Sequence, residues 1–310
     1  MRVLVTGGAG YLGSILIPML LNADHRVTVL DNFLYGQVPF LDLCGHPGLE
    51  IIRDDVRHMA GLRRALAAQD AVIPLAAIVG APACARDQTA AQSVNLEAIR
   101  LLMRCRSKEQ LVVFPMTNSG YGNCPGKSCD EDAPLRPLSL YGRLKVAAEA
   151  VVLGGDRTVS LRFATLFGPS PRMRTDLLVN DFTWRAATDG WLVLYEGQFR
   201  RSVLHVRDAA GAILWALGRL AEGALDHQVY NLAESSPTKR DLCHVIHRQV
   251  PHFRWFDSDA GRDPDQRDYA VDTTRALGEG WKAERTLEEG IEELLKCYRI
   301  LSGRSAYANV

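Results

Sequence analysis

Through the first half of the chain, short apolar runs alternate with longer stretches whose apolar residues recur at helical spacing. Residues 2–6, 26–30, 49–52, 71–75, 111–116 and 158–162 are rich in Val, Ile and Leu and of strand length, the pattern of strands covered on both faces. Residues 13–22, 59–68, 93–106 and 140–153 read as helices between them. Strands separated by helices of this length form parallel βαβ units, so the pattern predicts an α/β fold with a doubly wound parallel sheet. Beyond Gly168 the rhythm becomes irregular, with a Pro- and Arg-rich stretch at 169–174, a helix over 180–188 and then short strands. That predicts a smaller α/β lobe over the carboxyl ends of the strands, where such sheets bind ligands. The sheet domain is placed at residues 1–168 and the lobe at 169–310, with about 203–235 returning to the first domain.

Composition narrows the partners. The chain has 310 residues, 47% hydrophobic and 23% charged, and its 36 basic residues balance 36 acidic ones. Such a profile gives no electrostatic reason to expect nucleic acid or an anionic membrane as a partner. The seven cysteines are odd in number and irregularly spaced, and Cys124 and Cys129 are too far apart for a CxxC pair, so no metal is expected. Free thiols, a first strand starting at Arg2 and no apolar run near ~18 residues predict a cytoplasmic protein.

The most specific local signal is Thr6-Gly7-Gly8-Ala9-Gly10-Tyr11-Leu12-Gly13, a glycine turn between the first strand and the first helix. Gly7, Gly10 and Gly13 allow a tight turn, close approach of backbone to a pyrophosphate, and close helix packing, with Tyr11 and Leu12 carrying the chain into the helix N-terminus. Asp31 ends the second strand, where a carboxylate accepts both ribose hydroxyls and repels a 2′-phosphate; Asn32 and Phe33 supply no compensating cation. The predicted cofactor is NAD rather than NADP. Asp55 and Val56 follow the third strand, positioned for the adenine edge, a place that a plain loop aspartate fits nearly as well. Leu75, Ala76 and Ala77 offer small residues where backbone passes the cofactor.

Tyr141 and Lys145 lie four residues apart on one predicted helix face. A phenol of pKa about 10 needs about three units of lowering, roughly 4 kcal/mol, to act as a base near neutrality. Lys145 and an oxidised nicotinamide each bring a positive charge toward that end. A buried tyrosine beside a solvent lysine has the same spacing, so the pair alone does not decide.

Together, the motifs at 6–13, Asp31, 75–77, Asn95, 117–122, 141–145, 161–169 and 205–208 resemble, in order and spacing, the extended short-chain dehydrogenase/reductase family of nucleotide-sugar epimerases and dehydratases. The resemblance covers essentially the whole chain and implies a Rossmann-type domain with a smaller substrate-binding lobe. It implies Tyr141 as catalytic base, Lys145 as its partner, and Thr117 in the place of the Ser/Thr that bonds the reacting oxygen. It also implies substrate contacts from Ser119, Asn180, Arg201 and Arg262, with Arg174 and Arg172 as further candidates. A homodimer through the helices at 93–106 and 140–153 follows from the same likeness.

Departures from the family sharpen the reaction. Its 4,6-dehydratases carry Asp-Glu or Ser-Glu after the catalytic Thr, whereas this chain has Asn118 and Ser119. Neither acts as a general acid or base near neutral pH, so elimination of water is not expected. The segments 73–84, 117–122, 170–183, 200–208 and 263–269 resemble a narrower group, the bacterial GDP-manno-heptose 4-dehydrogenases. That likeness implies a GDP-sugar oxidised at C4. A 4-epimerase shares the first half-reaction and is the alternative. A non-catalytic NAD sensor is disfavoured because such proteins lose the Tyr or the Lys.

Overall fold

Most of the strands pair as parallel neighbours because each is an apolar run reached by a helical crossover. The edge strand at Leu49–Arg53 is reached instead by a loop with one 3₁₀ turn at Leu41–Leu43, and it is largely exposed rather than covered on both faces. In the computed structural model, which describes residues 1–124, 126–225, 227–260, 267–301 and 303–309, seven strands make the central sheet. They are β1 (Arg2–Thr6), β2 (Arg26–Asp31), β3 (Leu49–Arg53), β4 (Ala71–Pro74), β5 (Leu111–Thr117), β6 (Thr158–Phe163) and β7 (Val229–Leu232). Their order is β7-β6-β5-β4-β1-β2-β3, and every pairing is parallel. The α/β doubly wound class read from the sequence is the one observed. From β1 the chain runs outward to β3, then crosses back to β4 and continues the other way, so a crevice opens at the carboxyl ends of β1 and β4.

Alternate residues of a strand feed opposite faces of the sheet. Val3 and Val5 join the core shared with α1 (Gly13–Asn22), while Leu4 joins Leu62, Ala65 and Leu66 of α2 (Met59–Leu66) on the other side. In β5, Val112, Phe114 and Met116 pack with Leu144, Ala148 and Val152 of α4 (Leu140–Leu153), beside α3 (Ala98–Cys105). The helix carrying Tyr141 and Lys145 is further fixed by a buried ion pair: Arg162 donates to Glu149 through Nε and Nη2, both at 2.9 Å, and Ser160 Oγ donates to Glu149 at 2.6 Å.

Several boundaries differ from the sequence pattern. The helix expected over 93–106 opens with a π-helical turn at Ser93–Glu97, and the one expected to reach residue 68 stops at Leu66, with Ala68 at φ +60°. β7 is not readable as a strand from the pattern because Asn231, fully buried, interrupts its short apolar run. Beyond Gly168 come α5 (Leu178–Thr188), α6 (Val206–Glu222), which packs on α1, and two-stranded parallel pairs such as Trp191–Leu194 with Arg254–Asp257.

Candidate active site

The turn from β1 into α1 is dictated by its glycines. Gly7 has φ +70°, and a Cβ there would lie 2.4 Å from the Ala76 backbone nitrogen, so glycine lets β1 and the end of β4 approach. A Cβ at Gly13 would lie 2.2 Å from the Gly8 carbonyl oxygen, so α1 starts against its own turn. Gly10 is different. Its Cβ would meet only the Gly7 carbonyl oxygen, at 3.1 Å, among the described residues, which leaves the cavity side bare. α1 has no side-chain N-cap bond and no acidic residue in its first turn, so no carboxylate of its own competes with an anion for its positive end.

A cavity of about 1020 Å³ runs from this turn along the carboxyl ends of the strands and beneath α5. Gly7, Gly10, Tyr11, Leu12, Asp31 and Asn32 line one end, with Asp55, Val56, Leu75, Ala76 and Ala77 beside them. Thr117, Ser119, Tyr141 and Lys145 line the middle, and Arg174 and Arg201 the far part. Asp31 is pinned: its carboxylate accepts from Ala9 N–H at 2.9 Å and Phe33 N–H at 2.7 Å. Burial raises its pKa and these bonds oppose the rise. Each oxygen keeps acceptor capacity for a ribose hydroxyl. Asp55 is engaged inside the protein, accepting from Arg57 Nε at 2.8 Å and Nη2 at 2.7 Å, which holds its carboxyl well below the usual range. Asn32 donates to the same carboxylate at 3.3 Å.

Tyr141 is half-buried, and its hydroxyl makes no hydrogen bond among the described residues. Burial pushes its phenol up to about 12, opposed by the charges of Arg174 and Arg267. Lys145, one turn further on, donates to the Pro115 carbonyl at 2.5 Å and stands 4.1 Å from the centre of the Phe114 ring. Burial brings its amine down to about 7, with Glu149 pulling the other way. Thr117, at the end of β5, donates through Oγ1 to Ser119 Oγ at 2.9 Å.

The substrate side departs most from expectation. Asn180 does not line the cavity. It is fully buried, with Oδ1 accepting from Gly168 N–H at 3.0 Å and Nδ2 donating to the Arg174 carbonyl at 2.7 Å and to Tyr11 Oη at 3.2 Å. Tyr11 Oη donates in turn to the Gly168 carbonyl at 2.5 Å. This group ties the glycine turn to the start of the second half, so an expected substrate ligand is a structural cross-link. Arg174 faces the cavity but donates to Asp176 through Nη2 at 2.5 Å and Nε at 3.1 Å. Arg201 lines the cavity, 4% exposed. Arg262 lies outside the described residues. Among the cavity cations that the sequence pattern does not single out are Lys239 and Arg267. Lys239, 3% exposed, donates to the Tyr195 carbonyl at 3.0 Å, and Arg267 donates to Ser119 Oγ. Lys239 looks like an ordinary helix start, and nothing in the spacing around Arg267 announces a partner 148 residues away. Among the described residues no group of three or more His, Cys, Asp or Glu could hold a metal, and no helix is long and apolar enough to cross a membrane.

The bare Gly10, the acceptor capacity left on Asp31 and the positive end of α1, free of acidic side chains in its first turn, fit a dinucleotide, with the pyrophosphate at the helix and the adenosine ribose at β2. The model of the NAD dependent epimerase/dehydratase family matches residues 3–233. The chain belongs to that family. It is an enzyme, and its cofactor is NAD. Among the family's members, the chain is 28% identical to a dTDP-glucose 4,6-dehydratase of Streptomyces niveus, over 96% of this chain and 93% of that one. It is 27% identical to the low-salt glycan biosynthesis protein Agl12 of Haloferax volcanii, over 96% and 98%. The solved UDP-glucose 4-epimerase of Thermus thermophilus, in complex with NAD, superposes with a TM-score of 0.81 at 26% identity, covering 97% of this chain and 99% of that one. The family thus contains both epimerases and dehydratases among the relatives of this enzyme.

Proposed function

We propose that this enzyme oxidises C4 of a nucleotide-linked sugar to the 4-keto sugar, with a GDP-linked sugar of the manno-heptose type as substrate. The observation that carries the reading is the cavity wall after β5. Thr117, Ser119, Tyr141 and Lys145 line it, and positions 118 and 119 bring no carboxylate. Asn118 is fully buried, and with its amide oriented to suit both neighbours it donates to the Arg162 carbonyl at 2.9 Å and accepts from Ala164 N–H at 3.2 Å. Elimination of water needs a further pair of groups, one to take a carbon-bound proton and one to protonate the leaving hydroxyl, and positions 118 and 119 supply neither.

Bound NAD supplies the hydride acceptor. Tyr141 takes the hydroxyl proton, and the Thr117 and Ser119 hydroxyls flank the oxygen that becomes the carbonyl. Lys145 turns from the Pro115 carbonyl toward the phenolate, whose formation its charge favours. Arg174 and Arg201 face the diphosphate, for which guanidinium forks are suited. The GDP assignment rests on the sequence likeness of 170–183 and 263–269 to GDP-manno-heptose 4-dehydrogenases. A second reading, a 4-epimerase that returns the hydride to the other face, draws on the epimerase relative of Thermus thermophilus.

The test incubates the purified protein and NAD with a panel of GDP-, UDP-, ADP- and CDP-sugars. A 4-keto product that keeps its C6 oxygen, or the C4 epimer, is expected; a product lighter by one water overturns the reading. A keto-acid hydride acceptor that raises the ketone yield marks a dehydrogenase, since an epimerase regenerates its own NAD. A homodimer through α3 and α4 belongs to the proposal, and light scattering showing a monomer at micromolar concentration removes it.

A further inference from the structure

Ser119 Oγ lies between two donors. Thr117 Oγ1 donates to it at 2.9 Å, and Arg267 Nη1 donates to it from the far end of the chain. The Ser119 N–H donates back to Thr117 Oγ1 at 3.2 Å, closing a small ring. A hydroxyl oxygen that accepts twice has its own proton left to give. The proton of Thr117, by contrast, is spent inside the protein. Ser119 is 4% exposed and shares the cavity wall with Tyr141, so the donor it retains belongs to the reacting end.

Arg267 is held there by backbone. The next residue, Asp268, donates its N–H to Asn123 Oδ1 at 3.2 Å and accepts from the Cys124 N–H at 2.8 Å. Asn123 and Cys124 follow, after Gly122, on the turn Asn118–Tyr121 that carries Ser119. The Tyr269 ring lies 6.0 Å from the Arg267 guanidinium. One loop therefore fixes both members of the pair.

We propose that Ser119, rather than Thr117, donates the hydrogen bond to the oxygen of the reacting carbinol, and that Arg267 is the positioning residue that holds and polarises Ser119 for it. This rests on the proposed hydride transfer with Tyr141 as proton acceptor. No bond to Ser119 or Arg267 forms or breaks. The oxygen gains alkoxide character as its proton leaves for Tyr141, and a fixed donor aimed at that charge stabilises the transition state more than the ground state. Arg267 also acts on the phenol through its charge. The groups facing Tyr141 are Cys84 and Tyr269, which oppose ionisation, Arg174 and Arg267, which favour it, and Lys145 one turn along α4.

The test uses Ser119→Ala, Thr117→Val, Arg267→Met, Arg267→Lys and the double variant Ser119→Ala/Arg267→Met. One readout needs no substrate: ionisation of Tyr141 in the NAD complex, followed as the ultraviolet difference between each protein and its Tyr141→Phe counterpart. Arg267→Met should move the midpoint to higher pH, Arg267→Lys should restore most of the shift, and Ser119→Ala should leave it in place. An unmoved midpoint in Arg267→Met overturns the role of Arg267. The second readout is the pre-steady-state reduction of bound NAD by a nucleotide sugar. Ser119→Ala should slow it by about 10²–10³, the usual cost of losing one such donor. Thr117→Val should cost less, and the double variant should be no slower than the slower single variant. A larger loss in Thr117→Val, or additive losses in the double variant, overturns the assignment. If no nucleotide sugar reduces NAD in the wild type, the proposed function falls and the donor assignment with it, while the ultraviolet readout still reports on Arg267 and Tyr141.

Discussion

The two ends of the cavity are built in different ways. At the cofactor end the ligand-facing groups are backbone N–H groups and small residues at the ends of adjacent strands, fixed before any ligand arrives. Gly7, Gly13 and the pinned carboxylate of Asp31 owe their geometry to contacts within the first 76 residues. At the substrate end the lining is made of long cationic side chains from segments far apart in sequence, and these are engaged with the protein itself. Arg174 holds Asp176, Lys239 holds the Tyr195 carbonyl, and Arg267 holds Ser119. An anionic substrate must therefore exchange internal partners at that end, whereas a dinucleotide at the other enters a formed cradle. On this reading a carboxylate pinned by backbone selects the cofactor, and exchangeable side-chain pairs receive the substrate.

Tyr141→Phe, at the seam between the two ends, carries the largest expected effect. Turnover should be abolished while NAD binding and the fold persist, because the ring is kept and only the proton acceptor is lost. Single-turnover reduction of bound NAD at more than a tenth of the wild-type rate would break the assignment.

Asp31→Ala probes the preformed end. It removes two ribose acceptors and the repulsion of a 2′-phosphate, so the preference for NAD over NADP should shrink by about tenfold or more, the worth of charged hydrogen bonds of ~1.5–3 kcal/mol. Equal wild-type affinity for the two cofactors by titration would refute it. Asp176→Asn probes the exchangeable end with a smaller effect of opposite sign. With its internal carboxylate neutralised, Arg174 should bind a nucleoside diphosphate several-fold more tightly, leaving NAD affinity unchanged. Weaker binding by calorimetry would show that Asp176 orients Arg174 rather than competing for it.

The same division explains what the sequence made legible. The glycine turn, Asp31 and the Tyr141–Lys145 pair are readable because each is a short motif of fixed spacing at a strand end or on one helix face. Asn180 looks like a ligand contact in the sequence because its position suits one. Its partners, Tyr11 and Gly168, are what commit it to the protein, whereas Asp55 pairs with Arg57 and still lines the cavity. Arg267 and the strand β7 escape notice for a related reason. Arg267 acquires meaning only beside Ser119, and β7 is recognisable only once β6 lies next to it, with Asn231 accepting from the Tyr121 hydroxyl at 2.7 Å. Short-range pattern carries strands and turns; pairing across a hundred residues or more does not show in it.

An effect on stability rather than on turnover or binding concerns Lys145, which belongs to both ends. In the dinucleotide-free protein, burial brings its amine to about 7, below the ordinary 10.5 of a lysine. Between those values the unfolded chain holds a proton that the folded chain has released, so this residue's contribution to stability rises with pH across that window. Tyr141 acts only above pH 10, where its raised phenol stays protonated after the unfolded chain has ionised, and stability then falls. Lys145→Met should therefore be more stable than wild type near pH 7, with the advantage shrinking toward pH 9.5. The difference can change by no more than about 1.4 kcal/mol per pH unit for one proton. Denaturant unfolding of the two proteins at pH 7, 8 and 9.5 reads it directly. Parallel profiles would mean that Lys145 stays fully charged against the Pro115 carbonyl, and that its charge is present before NAD arrives.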